Sequence, residues 1–438
     1  MQQDSKLFLH LSDIHFGQEK GGTLFVHNDV KERLIDDVLH VVANELERPL
    51  AGIIVSGDTA YSGTAEEFKE AGKWLDRVAE AGGCKPTDVH VVPGNHDIDR
   101  KKISGAAAWM LAEIQTKGEE ALDKFLAVDR DCELLYDRLR DYRSFAEGYG
   151  CPLDLSGGHA GDEFTFELGC KKIVRFLGLN SALACSENDK EGLLLLGAKQ
   201  RVLRERAGET LIVLCHHPLN WLNDAADAWK YLRRTASVFI SGHEHEPSVQ
   251  LKSETGHSDI LLISAGATIP PKAEGPYNFA YYFLEFDWET EADSLAVSVH
   301  SRCWDDEKKR FGTDQDAANQ KSGKFLITDH LDNAELQKPV LEEQPIDLEE
   351  TEEEIPKEGA LLKMEEISAN ITLRFFRDLT ANQRRQIFIE NGLLPSDWSE
   401  HMKHSVETLL FRQLLSKGNA AELEKLIIKR IEESGETS

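Results

Sequence analysis

Three features common in secreted and membrane proteins are missing from this sequence of 438 residues. Cysteine is rare: the seven present are an odd number and widely scattered, which argues against a disulfide framework and indicates a reducing cytosol. No apolar run is long enough to span a bilayer, and no signal-like segment precedes the first predicted strand. We therefore expect a cytoplasmic protein with no membrane partner.

Positive charge is also scarce. The sequence has 50 lysines and arginines against 78 aspartates and glutamates, so its formal net charge is −28. Such a surface repels the phosphates of duplex nucleic acid, which argues against duplexes as partners. A local positive site built from metal ions remains compatible with this charge.

Composition divides the chain into two folded parts. We predict a catalytic domain over residues 1–330 with a helical insertion at about 100–150, an acidic linker over 331–358, and a helical domain over 359–438. The linker is rich in Glu and Asp and has no aromatic residue between 341 and 358, so we expect a flexible tether extended by self-repulsion. Deleting everything beyond about residue 340 should then leave catalysis on a small ester nearly unchanged.

The pattern of apolar residues predicts the fold class. Strands and helices alternate from Lys6 to Pro93, and short strands resume between Leu211 and His300. This mixture predicts an α/β protein in which two packed sheets lie between outer helices, a four-layer α-β-β-α sandwich. Leucine and isoleucine at helical spacing after Gly359 predict a small all-α bundle.

Side chains that can bind metals follow five of the predicted strands. The segments are Asp13-Ile14-His15, Gly57-Asp58, Gly94-Asn95-His96-Asp97, His216-His217-Pro218 and Gly242-His243-Glu244-His245. Loops at the carboxyl edge of a layered sheet are the usual place for a site, so we expect these segments to meet. Residues two apart, as in Asp-x-His and His-x-His, point to the same side of an extended chain.

The residue types predict a pair of divalent ions rather than a closed structural zinc site. Two neighbouring ions need a shared anion, hard ligands and an open edge for substrate and water. Asp58 can bridge, because a carboxylate has two oxygens. The other predicted ligands are Asp13, His15 and His245 for one ion and Asn95, His216 and His243 for the second. Since no thiolate is needed, Mn²⁺ is the favoured metal, with Fe, Zn or Mg as alternatives.

Two further residues are predicted to serve the chemical step. His96 would protonate the leaving-group oxygen, and its neighbour Asp97 would orient the imidazole. Water activated by the ions would attack phosphorus in line. No organic cofactor is predicted.

Taken in order, the segments resemble the motif set of the calcineurin-like metallophosphoesterase family: Asp-x-His, Gly-Asp, Gly-Asn-His-Asp/Glu, a later His, and Gly-His-x-His. The resemblance covers residues 6–305. It implies a β-sandwich flanked by helices, a two-metal site and hydrolysis of phosphate esters. The His-x-Pro pattern of the family favours His216 over His217 as the ligand.

Two branches of the family are compatible with the sequence. Leu9–Gly17 and His216-His217-Pro218 are similar to bacterial cyclic-nucleotide phosphodiesterases, whereas Gly242–Glu246 is similar to DNA-repair nucleases. The arginine that protein phosphatases of the family carry after Gly-Asp is absent from Thr59–Gly63. We favour a phosphodiesterase acting on nucleotides. The alternatives are a nuclease for single-stranded nucleic acid and a non-catalytic scaffold.

Several side chains outside the motifs are candidates for substrate contact. Arg100, Arg175 and Lys272 could hold a phosphate, with a surface ion pair as the alternative for each. Trp221 and Tyr277 could stack on a base, with core or rim packing as the alternative.

The C-terminal bundle resembles the adaptor or effector-associated domains of bacterial conflict-system proteins. This resemblance implies recruitment of a protein partner through contacts between helices. A dimerisation or packing module is the alternative interpretation.

Overall fold

A computed structural model describes residues 5–21, 24–153, 163–187, 189–254, 257–269, 279–314, 323–328, 358–400, 402–417 and 420–435. The predicted linker up to residue 357 lies outside these residues, as do Lys272 and Tyr277. Among the described helices, none combines the length and the apolarity needed to cross a bilayer.

Strands occupy much of the chain before the linker. In chain order they are β1 (Lys6–Leu11), β2 (Gly52–Val55), β3 (Val89–Val91), β4 (Phe164–Leu168), β5 (Lys172–Leu179), β6 (Glu209–Cys215), β7 (Ala236–Ser241), β8 (Ser248–Lys252), β9 (Ile260–Ser264), β10 (Ala280–Glu289), β11 (Ser294–Asp305), β12 (Arg310–Thr313) and β13 (Gly323–Ile327).

Helices fill the connections between strands and form the C-terminal part. They are α1 (Leu24–His40), α2 (Ala65–Gly82), α3 (Gly105–Lys117), α4 (Glu119–Leu126), α5 (Asp129–Tyr136), α6 (Arg140–Gly148), α7 (Ala198–Arg201), α8 (Ala225–Thr235), α9 (Glu358–Leu373), α10 (Ala381–Glu390), α11 (His404–Lys417) and α12 (Ala420–Gly435). Turns of π-helix at Val41–Glu45 and Arg374–Asp378 extend α1 and α9.

The strands form two sheets. The first has the order β12-β11-β10-β1-β2-β3, with β13 also paired to β11, and the second has the order β4-β5-β6-β7-β9-β8. Strands β1, β2 and β3 run parallel in the first sheet, and β5, β6, β7 and β9 run parallel in the second. The carboxyl ends of parallel strands meet at one edge, and this is where the motif segments begin.

Alternating side chains on the strands bind the layers together. Phe8 of β1 faces the second sheet, with its ring centroid 5.6 Å from that of Phe176 of β5. Its neighbour Leu9 points the other way and belongs to the apolar cluster that includes Leu34 of α1 and Leu75 of α2. On the second sheet, residues of β6 and β7 pack in the same way against α8. The predicted four-layer sandwich is confirmed.

Two helical regions complete the fold. Helices α3 to α6 follow β3 and form the predicted helical insertion. Helices α9 to α12 form the predicted bundle around a separate apolar core, in which the rings of Phe375 and Phe411 stack with centroids 4.4 Å apart.

The bundle is docked on the catalytic part of the chain. Arg377, in the turn after α9, pairs with Asp76 of α2 through contacts of 2.6 and 2.8 Å and donates to the hydroxyl of Tyr149 at 3.1 Å. Arg384 of α10 donates to the hydroxyl of Ser144 of α6 at 3.2 Å. These contacts join the bundle to α2, to α6 and to the residue that follows α6.

This docking corrects the expectation of a bundle that moves freely on a tether. Gly148 of α6 allows the close approach, because a Cβ there would lie 3.1 Å from the Cβ of Arg377. The composition of a linker predicts how stiff and how extended the linker itself is. It holds no information on whether the two parts that it joins pack together. Deleting the bundle would expose this surface of α2 and α6 and should lower stability, whereas nearly unchanged catalysis on a small ester stays a prediction.

Candidate metal centre

The motif residues sit in strained turns at the ends of their strands. Five of them have positive φ angles: 53° at Asp13, 52° at His15, 52° at Asp58, 73° at His243 and 58° at His245. Residues other than glycine adopt this left-handed conformation uncommonly, and five of the ten that do so among the described residues belong to the motifs. The backbone is held in this shape by hydrogen bonds between loops, such as those from the amides of residues 13, 14 and 15 to the carbonyl groups of residues 57 and 58.

Asp58 lies at the centre of the cluster. Its Oδ2 is 3.3 Å from Nε2 of His15 and 3.3 Å from Nε2 of His216. Its Oδ1 accepts the backbone N–H of His96 at 2.7 Å. One buried carboxylate oxygen thus faces two imidazoles from different loops, which is the position that a bridging ligand needs.

The first predicted ligand set is brought together around Asp13. Ligand atoms of Asp13, His15 and His245 lie within 4.8 Å of one another, and Oδ1 of Asp13 is 3.2 Å from Nε2 of His245. Nδ1 of His15 is 3.1 Å from the carbonyl oxygen of Ile269. A proton on Nδ1 satisfies that carbonyl and leaves the lone pair of Nε2 directed at the centre.

The second set is assembled in the same way. Nε2 of His216 is 3.2 Å from Oδ1 of Asn95, and its Nδ1 is 2.8 Å from the carbonyl oxygen of Ser56. His216 and His243 have ligand atoms within 4.8 Å of each other, in a group that also includes His217.

His217 occupies a different position from its neighbour. Its Nδ1 is 2.8 Å from the hydroxyl of Ser181, and its buried Nε2 has no hydrogen-bond partner among the described residues. Only His216 of this pair reaches Asp58.

Electrostatics in the cluster favour positive charge. Burial opposes ionisation of Asp58, but the charges and hydrogen bonds of His216 and His15 hold its pKa well below the ordinary value. Burial likewise opposes protonation of His216, yet the carboxylate of Asp58 raises the pKa of His216 to about 9. Buried carboxylates therefore stabilise cations here, and protons and metal ions compete for the same nitrogen atoms.

His96 borders this cluster and is partly exposed. Its ring lies 4.9 Å from the ring of His15 and stacks on Tyr61 at 5.2 Å, measured between centroids. Its Nδ1 is 2.9 Å from the carbonyl oxygen of Tyr61. That contact fixes the imidazole and leaves Nε2 for proton transfer.

Asp97 has a different role from the one predicted. Its Oδ1 accepts the backbone N–H of Ala60 at 2.8 Å, and its Oδ2 accepts that of Gly94 at 2.9 Å. The side chain therefore ties two site loops together, and the carbonyl of Tyr61 orients His96 in its place. Burial and the nearby charge of Asp58 raise the pKa of Asp97 to about 7.

Two glycines in the motifs are required by close packing. A Cβ at Gly94 would overlap the carboxylate of Asp58, and one at Gly57 would overlap the imidazole of His216. Gly57 also has a φ of 100°, which a residue with a side chain rarely adopts.

The other candidate substrate contacts divide into two kinds. Arg175 is buried and ion-paired with Glu163 at 3.0 Å and Glu209 at 2.7 Å, so it serves the structure. Arg100 is exposed and has no ion pair with any described residue. Trp221 lies at the edge of the cluster, with its ring centroid 4.0 Å from that of His243.

Tyr61 was missed by reasoning from the sequence. It follows Gly57-Asp58 by three positions, and no spacing rule marks it. Its exposed ring and its carbonyl both contact His96, a combination that only the folded loop shows.

Two parts of this chain match known protein families. The family described as Calcineurin-like phosphoesterase matches residues 6–247. This chain belongs to the calcineurin-like phosphoesterase family. Within the bundle of this phosphoesterase, residues 368–429 match the family described as GTPase-associated adaptor domain.

Individual relatives of this phosphoesterase are distant. It is 24% identical over 313 residues to the uncharacterized metallophosphoesterase-like protein YydB of Bacillus subtilis (strain 168), a match that covers 68% of this chain and 60% of the Bacillus protein. The chain therefore spans less than two thirds of the length of that relative.

Two solved structures of other proteins show weaker similarity. The NAD nucleotidase NadN of Haemophilus influenzae is 12% identical with a TM-score of 0.34, over 71% of this chain and 54% of NadN. The purple acid phosphatase PPD1 of yellow lupin is 11% identical with a TM-score of 0.37, over 80% of this chain and 58% of PPD1.

Proposed function

We propose that this chain is a two-metal phosphodiesterase that acts on small nucleotides. The observation that carries the proposal is the convergence of seven side chains around the shared carboxylate of Asp58. The proposed ligands are Asp13, His15, Asp58, Asn95, His216, His243 and His245. We also propose the domain limits given by the sequence, with the catalytic domain ending near residue 330 and the adaptor-like domain starting near 359.

The donor atoms suit a pair of hard or borderline divalent ions. They are carboxylate and amide oxygens and imidazole nitrogens, which favour Mn²⁺ and accommodate Fe, Zn or Mg. Cys215 ends β6 next to this set, but burial raises the pKa of its thiol to about 12. Its Sγ belongs to none of the groups of candidate ligand atoms among the described residues, so we do not propose it as a ligand.

The residues of the chain divide the chemical work between them. When bound, a pair of divalent ions polarises the phosphoryl group and lowers the pKa of water. His96, at the exposed side of the cluster, would donate a proton from Nε2 to the leaving oxygen, with Nδ1 held by the carbonyl of Tyr61. Asp97 would act as a positioning residue, because it holds the loop that carries His96.

A small cleft contains one of the candidate substrate contacts, Arg100. It has a volume of about 340 Å³ and lies between α3 and the loop after β5, with Arg100, Ile103, Leu111 and Leu194 in its lining. Burial lowers the pKa of His96, and the charge of Arg100 adds to this effect. The lining also includes Glu187 and Asp189, so Arg100 is the group in this cleft that could attract a phosphate, and the apolar side chains could contact a nucleobase.

The bundle supports a second role in recruitment. The description of its family as a GTPase-associated adaptor domain suggests a protein partner for this phosphoesterase. The seven cysteines are free, which supports the proposal of a cytoplasmic location.

A substrate screen with Mn²⁺ tests the proposal. We expect turnover of bis-p-nitrophenyl phosphate and of cyclic or dinucleotide substrates, and we expect Asp58→Ala to abolish both. The exposed Asp36→Asn on α1 is the matched control and should leave turnover unchanged.

Two other outcomes would replace the proposal. Cleavage of labelled single-stranded DNA without turnover of small nucleotides would select the nuclease alternative. No turnover of any ester by a protein shown to contain two bound ions would select the scaffold alternative.

A further inference from the structure

The bundle and the helical insertion enclose a cleft of about 700 Å³. One wall comes from α5 and α6, and the other comes from α10 and the start of α11. Six arginines and lysines but only four aspartates and glutamates line it. The whole chain has the opposite balance, 50 basic against 78 acidic residues, so this cleft concentrates positive charge in an acidic protein.

Two of these arginines have carboxylate partners within the protein itself. Arg384 pairs with Glu407 at 2.8 Å and donates to the carbonyl of Leu379 at 2.7 Å. Arg140 pairs with Asp137. Arg140 and Asp137 lie on the same wall, whereas Arg384 also reaches the opposite wall by donating to Ser144 at 3.2 Å.

Two other arginines, one on each wall, are left with unused donors. Arg143 of α6 is only 4% exposed, and its nearest carboxylate, Glu133, is 3.6 Å away. Among the described residues, no acceptor reaches the buried Nε of Arg143 or that of Arg385 of α10. Burial lowers the pKa of Arg143, and the charge of Glu133 offsets this only in part. A buried donor without an acceptor costs free energy, so these groups favour an anion.

The mouth of the cleft adds charge and apolar surface. Arg130 of α5 and Lys403 before α11 are exposed, and neither forms an ion pair with a residue that the structure describes. Leu134, 37% exposed, and Met402 offer apolar contacts between these cations.

We propose that this interdomain cleft binds a small phosphorylated anion of the nucleotide class, with Arg143 and Arg385 as donors from its two walls. The planar guanidinium group matches the geometry of phosphate oxygens, and the volume lies in the range of small-molecule pockets. Arg143 and Arg385 line the cleft from opposite walls, and Leu134 and Met402 suit the base of a compact ligand. A phosphopeptide would instead need an open groove.

The cleft is separate from the metal centre. None of the seven proposed metal ligands lines it, and its two walls belong to different folded parts. A ligand that contacts both walls would stabilise the docked arrangement of the bundle, because it binds only when they are together.

Calorimetric titration of the full chain tests the inference. The probes are a non-hydrolysable guanosine triphosphate analogue, its adenosine counterpart and inorganic pyrophosphate. We expect saturable binding that weakens as salt is added. Arg385→Ala should raise Kd by about tenfold or more, since a charge-assisted hydrogen bond is lost. Arg412→Ala, an exposed arginine of α11 outside the cleft, is the control and should not change Kd.

A second variant distinguishes the loss of a ligand contact from a folding defect. Arg130→Ala changes an exposed side chain on the opposite wall and should also weaken binding, by about threefold. Asp58→Asn should bind as the unmodified chain does, because the cleft does not use the metal centre. The inference is overturned by equal affinity in Arg385→Ala and the unmodified chain, by no binding up to about 1 mM, or by binding of a phosphopeptide alone.

Discussion

The metal centre and the interface between the bundle and the catalytic part differ in what holds their charged side chains in place. In the centre, Asp58 is almost fully buried and lies among imidazoles and backbone amides that come from short strand-end loops. At the interface, Arg377 and Asp76 are 301 positions apart in the chain and meet across two helices. The centre is fixed by many contacts with the backbone, whereas the interface depends on a few side-chain pairs. Changes at the centre should therefore affect chemistry, and changes at the interface should affect association of the two parts.

The largest effect is expected at Asp58. Asp58→Asn removes the charge between His15 and His216 and should lower kcat on bis-p-nitrophenyl phosphate on the order of 10³-fold. Metal analysis of the same preparation should show fewer than two ions per chain. Full activity with full metal content would exclude Asp58 as the bridging ligand.

A smaller and more selective effect is expected at His96. His96→Ala should slow esters with poor leaving groups by about 10²-fold, because they need a proton, and esters with good leaving groups much less. A plot of rate against leaving-group pKa makes this comparison within one variant. Equal losses across the series would show that His96 does not donate the proton.

At the interface, Arg377→Ala should weaken docking by about 2 kcal/mol, because it leaves Asp76 without its partner. We expect faster proteolysis between the two parts and only a minor change in kcat. Lys85→Ala is the matched control: its pair with Glu366 at 3.0 Å is exposed and should contribute less than about 1 kcal/mol. Identical proteolysis of both variants would contradict the importance of Arg377.

The smallest effect is expected in the pH dependence of stability, through His10 of β1 in the first sheet. Burial lowers the pKa of His10 to about 3, below its ordinary value of 6.5. At pH values between these two pKa values, His10 binds a proton more tightly in the unfolded chain than in the folded one. The contribution of neutral, buried His10 to the free energy of unfolding is therefore fully present above pH 6.5 and decreases as the pH falls. Between pH 7 and pH 5, this effect of His10 should lower the free energy of unfolding by about 2 kcal/mol.

Urea unfolding at the two pH values measures this loss. His10→Phe should show a shallower dependence on pH whatever its stability at pH 7. The exposed His40→Gln should keep the original dependence. An unchanged slope in His10→Phe would remove His10 as the cause.

The metal centre could be predicted from the sequence much better than the interface could. Each motif is a few residues long and follows a strand, so the fold class and the meeting of Asp13, Asp58 and His216 could be predicted from local patterns. The role of Asp97 could not, because its partners are amides of Ala60 and Gly94, whose positions depend on loop shape. The docking of Arg377 on Asp76 has no local pattern at all, and the composition of the linker holds no information on it.

The centre also spans the seam between the two sheets. Asp13, Asp58 and Asn95 follow strands of the first sheet, whereas His216, His243 and His245 follow strands of the second. Ions held by both groups would act as cross-links between the layers, in addition to any part in hydrolysis. Chelation should then lower the melting temperature of the whole sandwich, and resistance to heat should depend on the supply of metal in the surroundings.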